Sequence, residues 1–81
     1  MTDRIRAILD QAAKLPVPAS TLADDADLHE AGLTSFASVQ LMLALEDAFD
    51  IEFPERMLNR RTFATIRSIE TAVTELTRAA A

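Results

Sequence analysis

The sequence predicts an all-α fold, a small four-helix bundle with one short helix and a long first loop, built by residues 1–81 as a single domain. Three observations lead there. Apolar residues recur at three- and four-residue spacing in separate stretches. Pro16, Pro18 and Pro54 mark where those stretches end or begin. A chain of 81 residues supports one modest core and no second. Cysteine is absent, so neither a disulfide nor a thiolate metal site reinforces the fold, and packing must hold it alone.

Ile5, Ile8, Leu9, Ala12 and Leu15 form one apolar stripe, which makes the first helix, and Pro16 and Pro18 stop it. From Pro16 to Leu33 runs a connection rich in Pro, Asp, Ala and Thr. A loop of that length in a compact domain is functional or pinned, and Leu22, Leu28 and Leu33 are the residues to pin it. Gly32, the only glycine, stands just before the second helix, where a backbone conformation that other residues resist is expected. Thr34 and Ser35 are cap-type residues, and Phe36 to Phe49 contains good helix formers without Gly or Pro. Pro54 to Leu58 suggests a short helical turn with the proline near its start, the third helical piece. Thr65 caps a final helix that turns Ile66, Ile69, Val73 and Leu76 inward, with fraying expected from Thr77 to Ala81.

Charge is distributed unevenly. The net charge is -5, and from Asp24 to Glu55 the ionised groups are Asp24, Asp25, Asp27, Glu30, Glu46, Asp47, Asp50, Glu52 and Glu55, with no Lys or Arg among them. The cations lie outside, at Arg4, Arg6 and Lys14 on one side and Arg56, Arg60, Arg61, Arg67 and Arg78 on the other. An acidic chain lacks the basic face that nucleic-acid binding needs. The charged amino terminus is not a secretory signal, and no apolar run reaches membrane-spanning length. The expectation is a cytoplasmic monomer that binds neither nucleic acid nor membrane.

On a helical wheel at about 100° per residue, Leu41, Leu45 and Phe49, with Met42 beside them, share the core face of the second helix. Phe36, Val39 and Leu43 form a second stripe on nearly the opposite side, bordered by Gln40 and Asp47. So small a domain has little with which to cover it, and docking of a protein partner is the reading we take. The docking residues expected are Phe36, Val39, Gln40, Leu43, Asp47, Arg56 and Met57. Ser35 opens this helix, where free N–H groups and the helix dipole favour an attached anion. An ordinary capping serine would sit in the same place, so position alone leaves cap and modification site both open.

Asp27-Leu28-His29-Glu30-Ala31-Gly32-Leu33-Thr34-Ser35-Phe36 resembles the modification motif of the acyl carrier protein family, in which a serine after a Gly-Leu-Asp type turn receives phosphopantetheine. The resemblance continues through Val39 to Phe49, Ile51 to Pro54 and Thr62 to Ile66, nearly the whole chain. It implies an acyl-carrier-protein-like bundle with covalent 4'-phosphopantetheine on Ser35, installed from coenzyme A by a phosphopantetheinyl transferase. The chain itself would not be an enzyme.

More narrowly, Leu33 to Met42 and Phe49 to Pro54 resemble the small bacterial aminoacyl carrier proteins. Their loading enzymes, amino acid:carrier protein ligases similar to truncated seryl-tRNA synthetases, place glycine or alanine on the arm as a thioester. Three departures from the general family pattern point to a specialised partner set. Thr34-Ser35-Phe36 replaces Asp-Ser-Leu, Gln40 stands where Glu is frequent, and Arg56, Arg60 and Arg61 add cations near the third helix.

Other readings stay in view. The cargo could be a fatty or polyketide-type acyl group delivered by an acyl-loading enzyme, or the chain could be an unmodified acidic interaction domain with Ser35 as a cap. A serine hydrolase would need a base and an orienting acid on Ser35, and the one histidine, His29, is expected to be a solvated loop residue. Asp25 and Asp27 begin like a calcium loop, but Glu30 and Phe36 occupy its glycine and closing-glutamate positions, so no metal is expected. Phe49, Phe53 and Phe63 are bulky enough to fill the interior that a long acyl chain would need, which favours a small cargo.

Overall fold

The computed structural model describes residues 1–80. Helix α1 spans Thr2–Ala12 and buries Ile5 and Leu9 completely, with Ile8 half-buried beside them. It ends earlier than the apolar stripe implies. Leu15 precedes Pro16 and is therefore disfavoured in helical backbone. The chain leaves the helix first, through Ala13, whose N–H bonds Leu9 O, and through Lys14 in the left-handed region at φ 50. Leu15 still packs against the core, as a loop residue.

The long connection is pinned at both ends and in the middle. Leu28 and Leu33 are buried and Leu22 packs against the core. Asp10 Oδ1 accepts the Ala19 N–H at 2.8 Å, at the start of a 3-10 turn over Ala19–Thr21. The Arg6 guanidinium donates to the carbonyls of Ala19 and Leu22 and pairs with Asp24. Two backbone bonds then stitch the loop to the far end of the chain: Leu28 N–H to Ala64 O at 2.8 Å and Arg67 N–H to Asp24 O at 2.9 Å. These bonds satisfy polar groups that an unstructured loop would leave to water.

Gly32 has φ +120, and a Cβ built there would lie 2.8 Å from Pro16 Cδ. Both the backbone angle and the close approach of a rigid ring require glycine. Immediately after it, Leu33 N–H closes on Leu28 O at 2.9 Å, and the chain turns into helix α2, Ser35–Phe49.

Helix α2 buries Leu41 and Leu45. Phe49, expected in the core, is only partly buried: its ring lies 4.5 Å from the Arg4 guanidinium carbon, and Arg4 also donates to Ala48 O. The last turn of α2 has no basic residue of its own, so Arg4 of α1 supplies the cation that its C-terminal carbonyls favour. Asp50 ends the helix in the left-handed region, and Glu46 Oε2 accepts the Phe53 N–H at 2.8 Å. One carboxylate of the acidic segment thus organises the following loop.

The expected short helical turn is a single 3-10 turn, Glu55–Met57, so the described residues form three α-helices and two 3-10 turns instead of four helices. Pro54 sets the entry, as expected, but the three residues that follow carry no i, i+4 apolar repeat to propagate it. Helix α3, Ile66–Ala80, opens on a reciprocal cap: Ser68 N–H donates to Thr65 Oγ1 at 2.9 Å and Thr65 N–H to Ser68 Oγ at 3.0 Å. Its buried face is Ile66, Ile69, Ala72 and Val73. The helix continues through the expected fraying region as far as Ala80, and Ala81 lies outside the described residues. Helix α1 packs against both α2 and α3. No helix among the described residues is long and apolar enough to cross a membrane.

Candidate functional site

The turn before α2 is built by backbone and side chain together. Asp27 Oδ1 accepts N–H bonds from His29 and Glu30 at 2.9 and 3.3 Å. This carboxylate shapes a turn; among the described residues no group of three potential metal-ligating side chains lies together. His29 is half-buried, not solvated as expected. Its Nδ1 lies 3.3 Å from Leu33 O and its Nε2 3.4 Å from Arg60 O. The ring thus bridges the turn and the loop before α3. With both ring nitrogens facing backbone carbonyls, neither is placed as a general base on Ser35.

The choice between cap and modification site turns on Thr34. Its Oγ1 accepts the Ala37 N–H at 3.0 Å, which makes Thr34 the N-cap of α2. Ser35 is the first helical residue, exposed, and its hydroxyl makes no hydrogen bond among the described residues. Ser38 Oγ donates to Thr34 O, so it too leaves Ser35 free. The first turn of α2 has no acidic side chain to repel a phosphodiester on Ser35 Oγ. A reactive hydroxyl at an open helix N-terminus fits a covalently attached, negatively charged group.

Beside Ser35 runs a groove of about 530 Å³ between α2 and the loop before α3. Leu33, Val39, Met42, Leu58 and Phe63 give it an apolar floor and sides, and His29, Thr34, Ser38, Asn59 and Arg60 a polar border. Phe63, at the groove's wall, meets the buried Phe53 edge to face behind it, with ring centroids 5.4 Å apart, and the pair occupies the interior. Phe49, grouped with them in the sequence reading, is at the opposite end of α2 under Arg4.

Of the residues expected to dock a partner, Phe36 is 74% exposed, and Val39 and Leu43 are about half exposed, at 49% and 51%. Gln40 and Asp47 are exposed beside them. Met57 is a correction: it is 6% exposed and part of the core, because the 3-10 turn points it inward and presents its neighbour Leu58 instead. Arg56 is exposed but extends toward α3, where it pairs with Glu75 at 3.4 Å. Leu58, Asn59 and Arg60 line the groove; the sequence singled out only Arg60 of these, as an added cation, and missed Leu58 and Asn59. A three-residue turn offers no periodicity from which to choose between Met57 and Leu58.

The fold and the exposed serine define a carrier domain for a tethered prosthetic group. Residues 3–73 match the phosphopantetheine attachment site family, and the chain belongs to that family. It is 59% identical over 73 residues to an aminoacyl carrier protein of Agrobacterium fabrum, covering 90% of this chain and 88% of that one. It superposes with TM-score 0.89 and 58% identity on a chain in the crystal structure of an engineered Bradyrhizobium japonicum glycine:carrier protein ligase complexed with carrier protein from Agrobacterium tumefaciens and AMP, covering 91% of this chain and 99% of that one. It also superposes, with TM-score 0.66 at 28% identity and covering 88% of this chain and 90% of that one, on a chain in the crystal structure of Bradyrhizobium japonicum glycine:carrier protein ligase complexed with glycylated carrier protein.

Proposed function

We propose that this protein is an aminoacyl carrier: Ser35 Oγ bears 4'-phosphopantetheine, on which an amino acid, glycine or alanine, is held as a thioester. The observation that carries the reading is the division of labour at the start of α2, where Thr34 takes the cap and leaves the Ser35 hydroxyl exposed and without a partner among the described residues. Ser35 Oγ would attack the pantetheine-side phosphorus of coenzyme A's pyrophosphate, breaking its P–O bond to release adenosine bisphosphate while the hydroxyl proton passes to a base of the phosphopantetheinyl transferase. The group supplies a thiol at the end of a flexible arm, which a protein without cysteine lacks. The free N–H groups of the first turn of α2 favour the phosphodiester charge.

The relatives favour the aminoacyl subtype, since one is called an aminoacyl carrier protein and others are complexed with a glycine:carrier protein ligase, in one case in the glycylated state. A small cargo also agrees with Phe53 and Phe63 filling the interior beside the groove. Loading then needs a partner, and the exposed row of Phe36, Val39 and Leu43, with Gln40 and Asp47 at its border, is the surface on which a transferase or ligase would dock. Asp47 contributes charge steering, and the apolar row contributes burial.

Intact-mass measurement of protein made with an active transferase tests the reading. A phosphopantetheinyl increment mapped to Ser35, followed by a hydrolysable glycyl or alanyl increment when ligase, ATP and amino acid are added, is expected. Ser35→Ala should abolish both increments. An unmodified Ser35 beside an active transferase would leave an interaction domain as the better account.

A further inference from the structure

Arg60 lines the groove together with Ser35, Val39 and Leu58, so a cationic residue borders it on the loop before α3. Its neighbour Arg61 is likewise exposed. Arg6 and Arg56 are engaged with Asp24 and Glu75, whereas no carboxylate among the described residues lies within ion-pair distance of Arg60 or Arg61. Lys14, Arg67 and Arg78 likewise have no carboxylate within ion-pair distance among the described residues, so what sets Arg60 apart is its place in the groove beside Ser35, with Arg61 next to it.

The loop that carries them is firmly held. Asn59 Oδ1 accepts from the Thr62 N–H at 3.0 Å, and Asn59 Nδ2 donates to Arg56 O at 2.9 Å. Ala64 N–H bonds Arg61 O at 3.2 Å, and His29 Nε2 faces Arg60 O. The backbone beneath both guanidinium groups is therefore fixed relative to the turn that precedes Ser35, so that less ordering is left for the moment of binding.

We propose that Arg60 and Arg61 form a cationic rim that recognises carboxylates on the ligase that loads this carrier, an inference that rests on the aminoacyl-carrier reading above. A uniformly basic partner surface would be attracted along the acidic parts of the chain and repelled at this edge. The fitting partner presents an apolar pocket to Phe36, Val39 and Leu58, with carboxylates on the side that meets Arg60 and Arg61. Opposite charges on the two sides of one apolar row admit a single docking direction, which aims Ser35 at the partner's active site.

The test uses full-length carrier first converted completely to the phosphopantetheine form, verified by mass, and then glycylated by a glycine:carrier protein ligase. The double variant Arg60→Glu/Arg61→Glu should raise KM for the carrier on the order of tenfold at low salt. The kcat should stay within about twofold, because the reacting groups are unchanged. The excess in KM should shrink as salt is raised to about 0.5 M, where the contacts are screened. Arg60→Gln/Arg61→Gln should fall between wild type and charge reversal, and it decides the matter if the reversed protein loses helicity. An unchanged or lowered KM at low salt overturns the inference, as does an excess that salt does not reduce. Failure of the wild type to accept phosphopantetheine or glycine would instead defeat the carrier reading, so the two failures are distinct.

Discussion

Thr34 and Ser35 are adjacent hydroxyl residues with different physical tasks. A capping role for Ser35 would make its loss cost about 1 kcal/mol. Since Thr34 accepts the Ala37 N–H, that cost belongs to Thr34→Ala, while Ser35→Ala should change stability by no more than about 0.5 kcal/mol. Urea melts of the two variants compare them directly, and equal losses would return the cap to Ser35. Gly32→Ala should cost about 1–3 kcal/mol, because it forces a side chain into positive φ and against Pro16. At this scale Gly32 was legible in the sequence as the only glycine, and so was the place of Ser35 at the opening of α2. The side-chain bonds of Thr34 and His29 were not, since a sequence does not say which of two neighbouring hydroxyls faces the N–H groups, nor what a loop histidine meets across the fold.

Helix α2 is apolar on two faces, and only one of them folds the protein. Leu41 and Leu45 are fully buried, so replacing either by Ala should cost about 2–5 kcal/mol through the cavity left behind. Phe36→Asp, Val39→Asp or Leu43→Asp should leave helicity and the urea midpoint nearly unchanged while weakening transfer from the loading enzyme. Circular dichroism and a glycylation assay on the same samples separate the two faces, and unfolding by any of the Asp variants would put that residue in the core. The 3.6-residue repeat made this division readable before any coordinates. The repeat failed where the element is short: Glu55–Met57 is one 3-10 turn, and Met57, expected on the docking surface, is buried while Leu58 is exposed. Phe49 failed for another reason, because the end of the core stripe was covered by Arg4 from a different helix.

Across the molecule, the long first loop behaves as part of the core and not as an appendage. Leu28 is fully buried, its N–H is bonded to Ala64 O, and Arg67 N–H is bonded to Asp24 O, so the loop cannot detach without breaking the entry to α3. That connection ties the Ser35 turn to the loop carrying Arg60, and it makes the geometry of the attachment region a property of the whole fold. Amide exchange under native conditions should therefore show Leu28 and Arg67 opening with the same free energy as buried amides of α3 such as Val73. Leu28→Ala should lower all of them together by about 2–5 kcal/mol, with a single cooperative urea transition. If the Leu28 amide exchanged far faster than that of Val73, the loop would be an independently opening unit. The rigid mounting of Ser35 and Arg60 would then have to come from α2 and the 59–64 loop alone.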